Sequence, residues 1–333
     1  MKILITGGAG FIGSTIASAC SDAGHEPVII DDLSQGIRAF AARFPFYEGD
    51  YGDDRLLERV FSDHPTISAA VHCAAHTVVS DSVADPIRYY QNNISGLPAF
   101  VATLLKFGCT RLLFSSSAAI YMNPRSTLVV TEQSPLDPQS PYAATKMMAE
   151  RLLADAAAAT ALRVISLRYF NPIGSDPELR TGLQHPQPSH VLGKIMSAAE
   201  TGSPFTVTGT DWPTRDGSGL RDYIHVWDLA QAHVAALDAL DAVVSDTQPS
   251  VPINIGTGSG TTVFELIRAF ESVTGVQLNV VNGPRRPGDV AGACASAELA
   301  LTTLGWRPAF SLNRGIHDAL QWREKFLRTM FDS

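Results

Sequence analysis

A tyrosine and a lysine lie four residues apart in SPYAATKMMAE, residues 140–150. Residues at this spacing share one face of an α-helix, so the phenol of Tyr142 and the ammonium of Lys146 can act together. Three serines, Ser115–Ser117, end an apolar run upstream of this segment. A free tyrosine has a pKa of about 10, and a nearby cation lowers that pKa by favouring the phenolate. The pattern predicts a tyrosine base that a serine hydroxyl links to the substrate.

A glycine-rich loop, TGGAGFIG at residues 6–13, follows the first apolar run and opens a helical pattern. Gly7, Gly10 and Gly13 permit a tight turn and the close approach of a pyrophosphate, which the following helix N-terminus favours. Asp31 ends the second apolar run. A carboxylate there can accept hydrogen bonds from ribose hydroxyls and would repel a 2′-phosphate, so the loop predicts NAD rather than NADP.

Two further segments lie where a dinucleotide would be held. Asp50 and Tyr51 can hold the adenine edge, although the same pair also suits an ordinary turn. The small residues Cys73–Ala75 end a predicted strand and let a cofactor approach the backbone, although small residues also pack well. The residues alone leave both interpretations open.

Apolar runs of strand length alternate with helical patterns through the first half of the chain. The predicted strands are 2–6, 28–31, 69–74, 111–115 and 163–167. The predicted helices are 11–23, 53–61, 85–106 and 141–160. Strands that helices cover on both faces are apolar throughout. The alternation therefore predicts an α/β fold with a doubly wound parallel sheet, the Rossmann arrangement.

The chain changes character after Asn171, where proline and glycine become more frequent. We therefore predict a Rossmann domain over residues 1–172 and a second, smaller α/β substrate domain over residues 173–333. A strand and a helix within residues 221–245 are predicted to return to the first domain.

The composition excludes several classes of protein. The 333 residues carry a formal net charge of −8, which argues against a nucleic-acid-binding surface. The four cysteines form no C-x-x-C pair, so neither a disulfide framework nor a metal site is predicted. The N-terminus lacks the pattern of a signal peptide, and no apolar run is long enough to span a bilayer. We expect a cytoplasmic protein that binds neither nucleic acid nor membranes.

Seven motifs extend the pattern over nearly the whole length: GGAGFIG, FSSSA, PYAATK, LRYFNPIGSDP, GLRDYIHVWDLA, NIGTGSG and PRRPGD. On these motifs the chain resembles the extended short-chain dehydrogenase/reductase superfamily, and within it the UDP-glucose (UDP-galactose) 4-epimerase family. The resemblance implies a tightly bound NAD, a UDP-sugar substrate, and a homodimer whose interface is formed by helices 85–106 and 141–160. It also implies oxidation at C4 to a 4-keto sugar, followed by re-reduction on the opposite face.

The resemblance further implies a role for each matching residue. Tyr142 is the base and acid, Lys146 binds the nicotinamide ribose, and Ser117 links Tyr142 to the sugar 4-hydroxyl. Arg221 and Arg286 pair with the diphosphate, since guanidinium groups match phosphate oxygens. Cofactor-binding residues are expected at Gly7, Gly10, Phe11, Ile12, Gly13, Asp31, Asp50, Tyr51, Cys73, Ala74, Ala75, Asn92, Ser115, Tyr142, Lys146 and Phe170. Substrate-binding residues are expected at Thr77, Ser117, Tyr142, Asn171, His190, Val191, Arg221, Arg286, Asp289 and Ala293.

Three positions depart from the family pattern and leave the sugar open. Thr77 stands where the family usually has a lysine, and His190-Val191 stands where it often has Asn-Leu. Ala293 occupies a position, near the C2 substituent, that is bulky in some members and small in others. UDP-glucose and UDP-galactose are the first choice, and UDP-glucuronate or a UDP-N-acetylhexosamine is the alternative.

Two other classes of function compete with the epimerase. A nucleotide-sugar dehydratase or decarboxylase is one, but a dehydratase commonly has Asp-Glu after the serine stretch, where this chain has Ala118 and Ala119. A dinucleotide sensor without catalysis is the other, but it should have lost Tyr142 or Lys146, and both are present.

Overall fold

A seven-stranded parallel sheet forms the centre of the computed structural model, which describes residues 1–123, 128–185, 190–285 and 290–331. In order across the sheet, its strands are Ser250–Ile255, Arg163–Tyr169, Arg111–Ser115, Ile67–His72, Lys2–Thr6, Glu26–Asp31 and Phe46–Glu48. All neighbouring strands pair in parallel. The predicted doubly wound sheet is confirmed, and every predicted strand lies in it.

Helices cover both faces of this sheet. The helices of the described chain, including those of the smaller unit, are Phe11–Asp22, Arg38–Ala41, Asp54–Asp63, Val79–Ala84, Pro86–Tyr90, Leu97–Lys106, Pro141–Ala159, Val191–Thr201, Val226–Val243, Val263–Thr274, Glu298–Leu304 and Leu312–Phe331, with a 3₁₀ turn at Ala118–Ile120. One apolar core lies between the sheet and helices Phe11–Asp22 and Val226–Val243. The other lies beneath helices Leu97–Lys106 and Pro141–Ala159. None of these helices, as far as the described residues extend, is long and apolar enough to cross a membrane.

The prediction of one continuous helix over 85–106 is wrong. Its pieces are Pro86–Tyr90, a π-helical turn at Gln91–Ser95, and Leu97–Lys106. Gly96 marks the junction, where a Cβ would lie only 3.0 Å from the Cα of Gly52. Pro98 follows, and proline has no N–H with which to continue the hydrogen bonds of the preceding turn.

A smaller α/β unit follows the sheet. One of its sheets has four strands, in the order Thr261–Thr262, Leu220–Arg221, Gly292–Ala295 and Val129–Val130. Two further sheets have two strands each: Asn171–Ile173 pairs with Tyr223–His225, and Phe205–Thr208 pairs with Val280–Gly283. Its hydrophobic cluster, which includes Ile195, Leu266 and Phe270, is separate from the two sheet cores. The second, smaller domain is therefore present, and its boundary at residue 172 remains a proposal.

The predicted return segment, residues 221–245, contacts the first domain through its helix. The helix of the predicted segment 221–245, Val226–Val243, does pack against Phe11–Asp22. The strand Tyr223–His225, however, pairs with Asn171–Ile173 and not with the large sheet. The strand that enters the sheet is Ser250–Ile255, which carries only short alternations of apolar and polar residues and was not predicted.

Candidate active site

The residues predicted to do chemistry converge at the carboxyl ends of the central strands. The glycine loop follows Lys2–Thr6, Cys73 follows Ile67–His72, and Ser115 ends its own strand. The chain runs to opposite sides of the sheet from Lys2–Thr6 and Ile67–His72. Parallel sheets bind ligands in the crevice at such a point.

The glycine loop is too tightly packed to accept side chains. Gly7 has a φ of +70°, and a Cβ there would lie 2.7 Å from the amide nitrogen of Ala74. A Cβ at Gly13 would lie 2.2 Å from the carbonyl oxygen of Gly7. The helix that begins at Phe11 adds N–H donors and a positive dipole end. This cradle fits a pyrophosphate and brings together the predicted residues Gly7, Gly10, Phe11, Ile12 and Gly13.

Asp31 is buried at the end of its strand and faces the glycine loop. Its carboxylate accepts hydrogen bonds from the amides of Ala9 and Leu33, each at 2.9 Å. Burial raises the pKa of Asp31, and these two donors act in the opposite direction. A carboxylate offers about four acceptor sites, so two remain for ribose hydroxyls. The position fits the ribose of NAD.

The two predicted adenine contacts differ in their surroundings. Tyr51 is buried, donates to the carbonyl oxygen of Asn92 at 2.8 Å and packs edge-on against His72. Asp50 is exposed and accepts from the amide of Gly52 at 2.7 Å. Tyr51 therefore supports the turn that carries Asn92, whereas Asp50 faces solvent.

Two asparagines hold the segment that follows strand Ile67–His72. The side-chain oxygens of Asn92 and Asn93 accept from the amide of His76, at 3.1 and 2.9 Å. Asn93 Nδ2 donates to the carbonyl oxygen of His76 at 3.1 Å and to Thr145 Oγ1 at 3.0 Å. Asn93 was not predicted, and it ties this segment to the helix that carries Tyr142. Its position beside Asn92 was the only signal in the sequence.

Tyr142 and Ser117 lie close together. Ser140 Oγ caps the helix by accepting from the amide of Ala143 at 3.2 Å, which places Tyr142 in the first turn. Ser117 Oγ accepts from the amide of Ala119 at 3.2 Å, and the Ser117 side chain lowers the pKa of the Tyr142 phenol. The two hydroxyls are therefore near enough to interact.

Lys146 is held by the strand that ends at Ser115. Lys146 is buried, and its Nζ donates to the carbonyl oxygen of Ser115 at 2.8 Å and lies over the ring of Phe114. Burial raises the pKa of Tyr142, and the Ser117 side chain opposes this shift only in part. Desolvation therefore dominates the pKa of this phenol, and its lowering by Lys146 stays a prediction.

Ser115 belongs to a buried chain of polar groups. Its Oγ lies 3.0 Å from His233 Nε2 and 3.1 Å from Cys73 Sγ. His233 Nδ1 lies 2.9 Å from the carbonyl oxygen of Leu229, and burial lowers the pKa of His233 to about 4. The neutral ring therefore donates to Leu229 and accepts from Ser115. His233 was not predicted, since a lone histidine in an alanine-rich helix gives no signal.

A buried phenol of the smaller unit lies on the strand beside Asn171. Asn171, which is exposed, pairs in register with Tyr223, and Phe170 beside it is half-buried. The hydroxyl of Tyr223 is buried with no hydrogen-bond partner in the described part of the chain. Burial raises its pKa to about 12, so it is a neutral donor. Buried hydroxyls are usually paired, so Tyr223, which was not predicted, fits a ligand contact.

His190 caps a helix. Its Nδ1 accepts from the amide of Gly193 at 3.2 Å, and Val191 is the first residue of that helix. Burial lowers the pKa of His190 to about 4, with His185 acting in the same direction. A neutral imidazole thus replaces the asparagine that the family often has there.

The remaining predicted substrate residues lie apart from Tyr142 in sequence. Arg221 donates to the carbonyl oxygen of Leu220 at 2.7 Å and lies opposite Ala293 in the parallel pair. Thr77 is exposed. Arg286 and Asp289 lie outside the described residues.

Residues 3–256 match the model of one protein family, described as NAD dependent epimerase/dehydratase. The chain belongs to the NAD dependent epimerase/dehydratase family. The matched range contains the glycine cradle, Ser117, Tyr142 and Lys146.

Relatives of this epimerase/dehydratase chain cover nearly its whole length. It is 42% identical over 325 residues to a UDP-glucose 4-epimerase from Azospirillum brasilense, which covers 96% of this chain and 91% of that relative. A solved UDP-glucose 4-epimerase from Stenotrophomonas maltophila, with bound NAD and formylated UDP-arabinopyranose, has a TM-score of 0.93 and 38% identity, with 99% of each chain covered. A UDP-Glc/GlcNAc 4-epimerase from Campylobacter jejuni has a TM-score of 0.82 and 35% identity over 97% of this chain and 99% of that chain.

The turn after Ser117 bears on whether the chain has the groups that a dehydratase needs in addition to those of an epimerase. Ser117 is followed by a 3₁₀ turn, Ala118–Ile120, whose first two residues are alanines. Methyl groups cannot supply the acid and base that elimination of water needs. Neither Ala118 nor Ala119 can therefore act as the acid or base of an elimination.

Proposed function

We propose that the chain is an NAD-dependent 4-epimerase of a UDP-sugar, with UDP-glucose and UDP-galactose as the first choice. The proximity of Ser117 to Tyr142, beside the carbonyl-bound Lys146, carries the proposal. The phenol and the serine hydroxyl would serve as proton acceptor and relay, in a chain whose relatives are UDP-glucose 4-epimerases.

Tyr142 would move the proton of the sugar 4-hydroxyl. NAD, when bound, would supply a reversible two-electron acceptor. Ser117, which accepts from the amide of Ala119, offers its own proton to the phenol oxygen and so links Tyr142 to the 4-hydroxyl. Proton transfer by a positioned side chain typically contributes about 10²–10⁴-fold to the rate. The same phenol would return the proton when C4 is re-reduced on the opposite face.

Lys146 supplies positive charge within this buried site. Burial lowers its pKa to about 8, so the ammonium is present at neutral pH and is lost as the pH rises through 8. The ammonium favours the ionised phenol and suits a ribose hydroxyl as a hydrogen-bond donor. We therefore expect turnover to fall on the alkaline side of pH 8.

The small side chain of Ala293 supports a second candidate substrate. Ala293 is partly exposed and lies opposite Arg221, so it would leave room beside the sugar. The Campylobacter jejuni relative is a UDP-Glc/GlcNAc 4-epimerase. We propose that a UDP-N-acetylhexosamine is accepted besides UDP-glucose. UDP-glucuronate is the weaker alternative, since only the change at Thr77 favours it.

We also propose a cytoplasmic homodimer. Val83, Ile87 and Met148 are exposed by 64%, 64% and 46%. They lie on helices that pack against one another, Val79–Ala84 and Pro86–Tyr90 against Pro141–Ala159. Grouped exposed apolar side chains are typical of protein interfaces. The four cysteines are free, which suits a reducing compartment.

A panel of UDP-sugars tests the function directly. Purified protein, with no added cofactor, is incubated with UDP-glucose, UDP-galactose, UDP-N-acetylglucosamine, UDP-glucuronate and UDP-xylose, and products are identified by chromatography. We expect the 4-epimer of UDP-glucose or UDP-galactose, and NAD in the supernatant after denaturation. Protein that releases neither NAD nor NADH would contradict the proposal.

A further inference from the structure

A buried ion pair lies beside the proposed catalytic residues. Arg168, on strand Arg163–Tyr169, binds both carboxylate oxygens of Glu150, with Nε 2.9 Å from Oε1 and Nη2 2.6 Å from Oε2. The two side chains are only 5% and 12% exposed. Glu150 lies four residues after Lys146 on the same helix. Burying two charges is costly, so an ion pair at this place indicates a purpose that apolar side chains would not serve.

Further hydrogen bonds hold the arginine in one orientation. Arg168 Nη1 donates to Tyr121 Oη at 2.9 Å, and Tyr121 Oη donates to Asn254 Oδ1 at 2.6 Å. Arg168 Nη1 also lies 3.3 Å from the carbonyl oxygen of Glu132. The guanidinium therefore presents a fixed face to Glu150.

Glu150 also holds the serine turn. Ser116 Oγ donates to Glu150 Oε1 at 2.5 Å, and the amide of Ser116 donates to the carbonyl oxygen of Leu167 at 2.9 Å. The next residue is Ser117, whose side chain lies close to Tyr142 and lowers its pKa. Glu150 thus fixes the turn from the helix while the neighbouring strand fixes it through the backbone.

The same carboxylate acts on Lys146. Burial lowers the pKa of Lys146, whereas Cys73 and Glu150 raise it. Cys73 is neutral near pH 8, because burial raises its pKa to about 11. His72 is neutral as well, because burial lowers its pKa to about 3.

The other groups around this lysine carry no charge near neutral pH. Tyr142 is neutral because burial raises its pKa, and strand Arg111–Ser115 contributes a carbonyl oxygen and the ring of Phe114. Among these described groups, the Glu150 carboxylate therefore carries the negative charge that favours the protonated form of Lys146.

We propose that Glu150, held by Arg168, is a positioning residue of this enzyme that orients the Ser116–Ser117 turn and places a carboxylate beside Lys146. The inference rests on the proposed 4-epimerase function. It adds a second layer of residues to the site: Tyr142, Ser117 and Lys146 face the substrate and cofactor, and Glu150 acts through them.

Glu150→Gln tests the inference in the enzyme as purified with its NAD, with UDP-galactose as substrate. The amide keeps the shape and a hydrogen-bond acceptor for Ser116 but removes the charge. We expect kcat to fall by about 10- to 100-fold through misplacement of Ser117, with KM nearly unchanged. Loss of the carboxylate favours neutral Lys146, so the alkaline limb of kcat should move to lower pH by about one unit.

Two companion variants separate the two effects. Ser116→Ala leaves the ion pair intact and releases the turn, so we expect a lower kcat with the alkaline limb unmoved. Arg151→Gln removes an exposed ion pair with Asp155 on the solvent side of the same helix, so we expect wild-type kcat and pH profile. Thermal unfolding and bound NAD are measured for every variant.

A double variant keeps the inference testable if Glu150→Gln does not fold. Glu150→Gln with Arg168→Met removes both buried charges, so no unpaired charge remains, and the same alkaline shift is expected. Either folded variant with a wild-type alkaline limb would overturn the inference, even if kcat falls, because a merely structural role lowers kcat alone. A wild-type protein that epimerises no UDP-sugar of the panel would instead refute the proposed function.

Discussion

Tyr142 is the side chain on which the proposed chemistry depends most directly. Its burial raises its pKa, and the nearby Ser117 side chain opposes that rise in part. Removing the phenol oxygen therefore removes the proton acceptor and leaves the ring packing intact. For Tyr142→Phe we expect kcat to fall by about 10²–10⁴-fold, with KM for UDP-galactose nearly unchanged, in steady-state assays.

Tyr89→Phe is the matched control for that change. Tyr89 is also a buried tyrosine near the site, and its hydroxyl donates to the carbonyl oxygen of Val78 at 2.6 Å. It should lower the thermal stability slightly and leave kcat within about twofold of wild type. Unchanged turnover in Tyr142→Phe would show that the mechanism is wrong.

Ala293 is the residue at which we expect substrate choice to be decided. For Ala293→Tyr, the phenol should fill the space beside the C2 substituent and exclude an acetamido group. We expect kcat/KM for UDP-N-acetylglucosamine to fall by about 10- to 200-fold, with UDP-glucose as the internal control. Equal losses for both sugars would place Ala293 outside the C2 contact.

At the scale of elements, the glycine cradle depends on the start of helix Phe11–Asp22. A Cβ at Gly13 would lie 2.2 Å from the carbonyl oxygen of Gly7, so Gly13→Ala must displace the loop or the helix. We expect Gly13→Ala to carry less than about a tenth of the wild-type NAD after purification, since a shift of about 1 Å can cost 10²-fold. Absorbance and NAD released on denaturation provide the measurement.

Gly275→Ala is the control that adds backbone strain at a glycine outside the proposed NAD site. Gly275 ends helix Val263–Thr274 with a φ of +72° and has open space around it. Its replacement should cost about 1 kcal/mol of unfolding free energy and leave the NAD content unchanged. If Gly13→Ala retains full NAD, the loop does not cradle the pyrophosphate.

At the scale of the whole molecule, the proposed homodimer should depend on exposed apolar side chains. Val83→Glu with Ile87→Glu places two carboxylates on helices Val79–Ala84 and Pro86–Tyr90. Because buried unpaired charges are strongly unfavourable, we expect this double variant to be monomeric in light scattering while the wild type has the mass of a dimer.

An exposed valine in the second domain provides the control for dimerisation. Val276 is 43% exposed and lies far along the chain from the proposed interface. Val276→Glu should leave the mass in solution unchanged. A wild-type protein that is monomeric at micromolar concentration would contradict the proposed dimer.

The amino-acid sequence by itself determined the features that depend on neighbours along the chain. The glycine spacing after the first strand, the cap at Ser140 and the four-residue spacing of Tyr142 and Lys146 are local patterns. Local patterns follow from backbone sterics and helix geometry, so the parallel sheet and the glycine cradle were predictable.

Only the tertiary structure decided which polar groups become partners across the chain. Ser115 meets His233 across 118 positions, Ser250–Ile255 enters the sheet beside Arg163–Tyr169, and Glu150 meets Arg168. No periodicity marks such pairs, because their distances are set by the packing of helices on the sheet. The pKa of Tyr142 was decided there too: burial outweighs charge in a site from which packing excludes water.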